Sequence, residues 1–230
     1  MNNGRIKFIL LWIFLIVSFS VLAVILVLGA YGYRFNQQNW RLESTGVIVL
    51  DGLPRDVNIR VNGQIPPDTM LPLKLAKLLP GQYDITVGKN DYQTWSKTFI
   101  LVGGQAIEAK HIQLFLAEPK VAESTRKLTL ENLQKDFLSA ESDLTLKENE
   151  IWFNEKLVTR FSGKLAGAIL INNRSQIIFQ LNNELRVMDI DATNNIKLIT
   201  LPNDEAVAFA LSGNKLVYAS DNKFFEAEIK

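Results

Sequence analysis

The 230-residue chain contains no cysteine and a single histidine. Without thiols there is no disulfide, no thiolate metal site and no cysteine nucleophile, so each folded region must be held by its core alone. His111 lies in an alternating stretch and reads as a structural or surface residue. With no second histidine, neither a zinc site nor a catalytic triad is expected. An excess of either charge is also missing, with 25 bases against 24 acids and a net charge of +1. Once Arg5 and Lys7 are set aside, 23 bases remain against the 24 acids. That balance lacks the basic footprint that nucleic-acid binding requires.

The most informative absence is local. Phe8 to Leu28 carries no charged residue, and 17 of its 21 residues are Leu, Ile, Val or Phe. As a helix it is roughly 31 Å long, matching a hydrocarbon core of about 30 Å. At about −0.3 to −0.6 kcal/mol per apolar residue, insertion is favoured by roughly 5–10 kcal/mol. A cleaved signal peptide is the competing reading. Its apolar core is usually about 7–15 residues, however, and the small-residue pattern at Leu28-Gly29-Ala30 is spoiled by the leucine. An uncleaved transmembrane helix over residues 8–33, after a cytoplasmic tail at 1–7, is therefore expected. Arg5 and Lys7 have no acid among them, whereas Arg34 and Arg41 are diluted by Glu43. The bias of positive charge toward the cytoplasm then puts the N-terminus inside and the C-terminal region outside. Tyr31, Tyr33 and Trp40 are candidates for the outer interface, with packing against the first β-domain an equal alternative for Trp40.

After the helix the period changes to two. From Gly46 to Leu116 short apolar runs alternate with turn signals, giving about seven strands and the pattern of a β-sandwich or small barrel. Val47 to Leu50 is one strand, ended by a break at Gly52-Leu53-Pro54. Val57 to Val61 is the next, followed by Asn62-Gly63, a turn whose two residues tolerate positive φ. Leu71, Leu73 and Leu75 alternate with Pro72 and Lys74 and read as an edge strand. Tyr83, Ile85 and Val87 share one face, expected to be buried, with Asp84 and Thr86 on the other. Tyr92 to Val102 and Ala106 to Leu116 follow, joined at Gly103-Gly104, which opens a strand and so is a turn, not a phosphate loop.

Leu79-Pro80-Gly81-Gln82-Tyr83-Asp84-Ile85-Thr86-Val87, followed by Asp91-Tyr92-Gln93-Thr94-Trp95, resembles the PEGA domain family with its "PGxYxVxV" and "GYxxW" signals. The family's name-giving tetrapeptide falls at Pro54-Arg55-Asp56-Val57 and keeps only the proline. Gly32-Tyr33-Arg34-Phe35, directly after the apolar helix, is similar to bacterial proteins in which such a helix leads into a PEGA domain. The resemblance covers residues 29–118 and implies a PEGA-like β-sandwich over 44–117 in a bacterial envelope protein, with no established chemistry to carry over.

Residues 118–142 read as a polar linker, with a short helix expected at Thr129 to Leu138. From 143 to 230 the strands return as an antiparallel β-meander. Leu144 to Phe161 supplies three, Ala166 to Leu201 four, and Ala206 to Ile229 three. The turns are rich in Asn, Asp and Gly, and the even spacing suggests β-propeller blades. About two and a half blades cannot close a ring that needs at least four. The region is thus an open sheet or sandwich, a partial propeller, or an array completed by another copy. The last strand leaves an open edge that Lys223, Glu226, Glu228 and Lys230 would blunt, that Leu144 to Phe161 would cap, or that a second chain would pair.

The fold class expected is therefore an all-β ectodomain, a PEGA-like sandwich and blade-like meander, behind one transmembrane α-helix. Asp189, Asp191, Thr193 and Asn195 evoke a calcium loop, but Asn194 and Thr200 stand where glycine and glutamate belong, so a polar turn is expected. Trp152 would stack on a sugar ring if exposed, whereas Trp95 is expected in the core. No catalytic, metal or cofactor-binding residue is singled out, no cofactor is expected, and no ligand-binding residue is assigned. The function expected is non-catalytic: a cell-envelope protein whose β-domains bind a protein or glycan or act as a spacer. An accessory or sensor subunit of a membrane-bound enzyme complex is the alternative. The partners expected are the lipid bilayer and an envelope protein or glycan, with no nucleic acid.

Overall fold

The computed structural model describes residues 3–37, 39–124, 143–221 and 223–230. One apolar helix, α1 (Asn3–Ala30), precedes a chain whose described residues are otherwise strand, turn and loop. The helix starts before the expected position and stops three residues short of it. Tyr31 and Gly32 form a turn, with Gly32 at φ +79°, a conformation that costs glycine little. The Gly32 carbonyl accepts from both the amide and the hydroxyl of Thr45. Tyr33, expected in the helix, therefore opens strand β1 (Tyr33–Asn36), which pairs antiparallel with β2 (Arg41–Ser44).

Six strands follow: β3 (Gly46–Leu53), β4 (Asn58–Val61), β5 (Leu73–Leu78), β6 (Gly81–Gly88), β7 (Trp95–Leu101) and β8 (Ala106–Gln113). They form two three-stranded sheets, ordered β5-β3-β8 and β4-β6-β7. The proline-flanked strand β5 is an edge, as its composition requires. Asn62 and Gly63 take φ of 50° and 77°, and Val61 and Gln64 exchange backbone hydrogen bonds across them. On β6, Ile85 and Val87 are buried. Tyr83 is only partly buried, because its hydroxyl reaches out to donate to the Leu79 carbonyl at 2.7 Å. Gly52 does not break its strand. β3 runs on to Leu53, and a Cβ at Gly52 would stand 2.1 Å from the Ile112 carbonyl oxygen, so the glycine is there for close approach of backbones.

The chain divides into two compact units, Met1–Leu50 with Leu73–Tyr83 and Thr98–Ala109, and Asp51–Pro72 with Asp84–Lys97 and Lys110–Lys230. In the first, Ile48, Leu50, Leu73, Phe99 and Leu101 are buried.

The second unit contains the rest of the strands. β9 (Val121–Glu123) lies in the stretch expected to be linker, and the helix expected at Thr129 to Leu138 falls outside the described residues. β10 (Leu144–Lys147), β11 (Glu150–Phe153) and β12 (Lys156–Arg160) form one meander. β13 (Leu165–Ile171), β14 (Gln176–Leu181), β15 (Glu184–Asp189) and β16 (Ile196–Thr200) form a second. β17 (Phe209–Ser212), β18 (Lys215–Ser220) and β19 (Lys223–Glu228) make the third, in the order β17-β18-β19-β9. The final strand is thus paired on both sides. Its outer partner is Val121–Glu123 and not Leu144 to Phe161, with Phe225, Glu226 and Ala227 opposite Glu123, Ala122 and Val121. Ion pairing of Lys223 with Glu123 (3.1 Å) accompanies the ladder.

These three sheets stack in chain order through the middle one. Ile178, Val187 and Leu198 on one face of β13–β16 pack with Phe209, Leu216 and Tyr218 of the third sheet. Ile177, Phe179 and Met188 on the other face pack with Ile151 and the partly buried Val158 and Phe161 of the first. Phe161 stacks on Phe179 with ring centroids 5.0 Å apart. A sheet covered on both faces reads as a continuous apolar run, which is what Ile177-Ile178-Phe179 is.

Candidate functional site

The feature most clearly built for an external partner is α1. Within Ile6–Ala30 an 18-residue run reaches a mean hydropathy of 3.0, and none of that run is buried inside the protein. Large apolar side chains point outward on every face, from Leu15 (48% exposed) to Phe19 (73%). A helix apolar all round belongs in a core or a bilayer, and no core covers this one. The Ser20 hydroxyl obeys the same logic, since it donates to the Ile16 carbonyl at 2.9 Å and keeps that proton from facing lipid. The helix is long and apolar enough to cross a membrane.

Polar chemistry in the second unit concentrates at Asp189, at the end of β15. It is 9% exposed, and four donors meet its carboxylate. Trp95 Nε1 and Asn194 Nδ2 each lie 2.8 Å from Oδ2, the Thr193 hydroxyl lies 3.4 Å from the same oxygen, and Gln176 Nε2 is 2.8 Å from Oδ1. Three of these contacts converge on Oδ2 and one on Oδ1. The next residue of the series, Asp191, pairs with Lys97 at 2.5 Å and accepts from the Thr193 hydroxyl at 2.6 Å. Burial pushes its carboxyl up, but hydrogen bonds from Lys97 and Thr193 outweigh that and leave it below the ordinary aspartate range. Asn194 also accepts from the Ser96 amide at 2.9 Å. The 189–195 series is thus a polar turn that fastens residues 95–97. Asn195 accepts from Arg186 Nε at 2.9 Å and belongs to the same turn.

Trp95 is buried at 5% exposure with its indole N–H satisfied. Trp152 is the partly exposed tryptophan of the pair. It borders a cleft of about 630 Å³ together with Asp143, Thr145, Lys147, Asn154 and Glu155. Its Nε1 donates to Glu150 at 2.8 Å, and Lys147 Nζ sits 4.4 Å from the ring centroid as a cation over the π face. Glu150 also accepts from Arg160 Nε at 2.6 Å. Hydrogen bonds from Arg160 and then Trp152 hold its carboxyl below the ordinary range. His111 is exposed, at φ 63°, on the rim of a separate cleft of about 400 Å³ shared with Asp51, Arg55 and Asn172. Among the described residues, no three of His, Asp and Glu come together as a metal-holding group.

Sequence reasoning found the turn but missed that its first aspartate is a buried hub. The signal available was Gln176 and Asp189 directly opposite each other at the ends of adjacent strands. Compared with family models and with curated proteins, the chain matches none.

Proposed function

We propose that this is a single-pass membrane-anchored, non-catalytic protein of a bacterial cell envelope. Its N-terminus is cytoplasmic, and its β-region serves outside the membrane as a binding or spacing module. The observation that carries the reading is the uncovered apolar helix joined through two residues to a β-rich body. Arg5 and Lys7, in the first turns of the helix and ahead of its charge-free run, support the orientation. The PEGA-like signals at Leu79 to Val87 and Asp91 to Trp95 support an envelope setting, and the face-to-face stacking of three meanders supports blade-like units. A glycan is the ligand class best suited to the cleft beside Trp152, where an aromatic ring is ringed by Asp143, Thr145, Asn154 and Glu155.

Protease added to spheroplasts expressing the full chain tests the topology. Loss of everything beyond about residue 45, with a protected N-terminal fragment of the helix, is the outcome expected. A protected C-terminal region would reverse the orientation, and a mature protein beginning near Tyr31 would remove the anchor.

A further inference from the structure

The hairpin that follows the helix is built inside out. In an antiparallel pair, directly opposed residues share a face. Phe35 opposes Leu42 and Tyr33 opposes Ser44 on one face, while Arg34 opposes Glu43 and Asn36 opposes Arg41 on the other. In a water-exposed hairpin the apolar face turns inward. Here Tyr33, Phe35, Trp40 and Leu42 are 41%, 51%, 81% and 47% exposed, and Trp40 packs edge-on against Phe35 with centroids 5.7 Å apart. The one buried residue of the pair, Asn36, lies on the polar face, where Glu43 is partly buried and Arg34 and Arg41 are exposed. Asn36 is buried and donates to Glu43 at 2.9 Å, and Arg34 Nη1 donates to the Lys77 carbonyl of the same unit at 3.0 Å. Hydrogen bonds from Asn36 and Asn39 hold the Glu43 carboxyl below its ordinary range. The orientation is therefore fixed by specific bonds on the polar side, while the aromatic side, among the described residues, stays largely exposed.

We propose that this face rests in the headgroup layer of the membrane that α1 crosses, so that the hairpin is a foot setting the first unit on the bilayer. The proposal rests on the membrane reading above. Its occupant follows from reach. Only Tyr31 and Gly32 separate α1 from β1, so β1 begins at most about 11 Å from the helix end. The charge-free run from Phe8 to Leu28 is roughly 31 Å long as a helix, enough to fill a hydrocarbon core of about 30 Å, so the helix's last residues, Gly29 and Ala30, already lie at the interface. Tyr and Trp settle at that depth because one end of each is apolar and the other polar. A lipid surface is the one partner guaranteed to be within reach of these side chains.

The absence of cysteine makes the test clean, since any introduced thiol is unique. Single variants of the full chain, Leu15→Cys, Phe35→Cys, Leu42→Cys and Ile65→Cys, are spin-labelled and reconstituted in phosphatidylcholine/phosphatidylglycerol nanodiscs. Accessibility to oxygen and to a water-soluble nickel chelate then gives depth. Leu15 should report the bilayer interior, and Ile65, 68% exposed in the second unit, should report water. The expected result is nickel accessibility at Phe35 and Leu42 several-fold below that at Ile65, with the oxygen response of a headgroup-level site. Water-like behaviour at Phe35 and Leu42 with a deep Leu15 would overturn the foot and leave the anchor standing. Shielding from both reagents together with dipolar broadening would overturn it in favour of a second copy. Water-like behaviour at Leu15 would overturn the anchor itself, and the foot with it.

Discussion

In β14, Gln176 to Gln180 are buried without a break and only Leu181 is partly exposed. In β1, Tyr33, Arg34 and Phe35 are exposed and only the polar Asn36 is buried. Both are short antiparallel strands that mix apolar and polar residues. What separates them is what lies beyond each face. β14 has a sheet on either side, so the pleat carries Ile178 into one core and Ile177 and Phe179 into another. Its two glutamines are paired, Gln176 to Asp189 and Gln180 to the Glu205 carbonyl and the Val207 amide. β1 buries only Asn36, which is held by a hydrogen bond to Glu43. A period of two fixes which residues travel together; the surroundings decide which set is inside.

The sharpest way to break this comparison is to cut one aromatic from each region. Phe179→Ala removes a fully buried ring stacked on Phe161 and should cost about 3–5 kcal/mol. Phe35→Ala, in detergent-solubilised full-length protein, should stay within about 0.5 kcal/mol, because its ring has no protein core to leave. Urea denaturation of both variants compares them directly. Equal losses would mean that the hairpin face is a covered core and that the contrast is false.

A second substitution probes polar burial. Asp189→Ala would strand Trp95 Nε1, Gln176 Nε2 and Asn194 Nδ2, each held by that carboxylate at 2.8 Å. Orphaned buried donors cost about 1–3 kcal/mol apiece, and water admitted by the truncation offsets some of that, so a total of about 2–4 kcal/mol is expected. Trp95 fluorescence should shift to the red as its indole meets water. A loss no larger than that of a surface substitution, with unshifted emission, would show that the hub does not fasten Trp95.

Much of the architecture was legible in the residues. Charge-free length marked α1, and Asn- and Gly-rich turns between apolar runs located the three C-terminal meanders almost strand for strand. Turn chemistry made Asn62-Gly63 readable for the same reason, since positive φ at successive residues is written in residue type. What escaped was everything that depends on a distant neighbour. Val121 to Glu123 carries no strand signal of its own and becomes β9 because Phe225 to Ala227 offers an unpaired ladder. Gly52 looked like a break because a glycine needed for the approach of Ile112 is indistinguishable in sequence from one needed for a turn. The hairpin was missed for a related reason: Tyr33 and Trp40 were readable as interface residues, but nothing in the sequence sets Phe35 opposite Leu42.

The smallest effect expected lies at the rim of the Asp189 hub, and acid reads it. Asp191 has a carboxyl held below its ordinary range by Lys97 and Thr193 against the opposing effect of burial. A carboxylate with a depressed pKa contributes stability that is fully present above its unfolded value, about 3.9. That contribution is lost as pH falls through the lower folded value. Both partners are partly in solvent, with side-chain exposures of 29% for Lys97 and 42% for Asp191, so screening keeps the contribution to about 0.2–1 kcal/mol. Denaturation midpoints of the wild type and of Asp191→Asn, followed from pH 7 downward, should differ by a constant amount to about pH 4 and converge below it. Lys97→Met should produce the same convergence, because it removes the other half of one pair. Should the two curves stay parallel into acid, the pair makes no pH-dependent contribution that can be measured, and Asp189 and Asn194 fasten residues 95–97 without it.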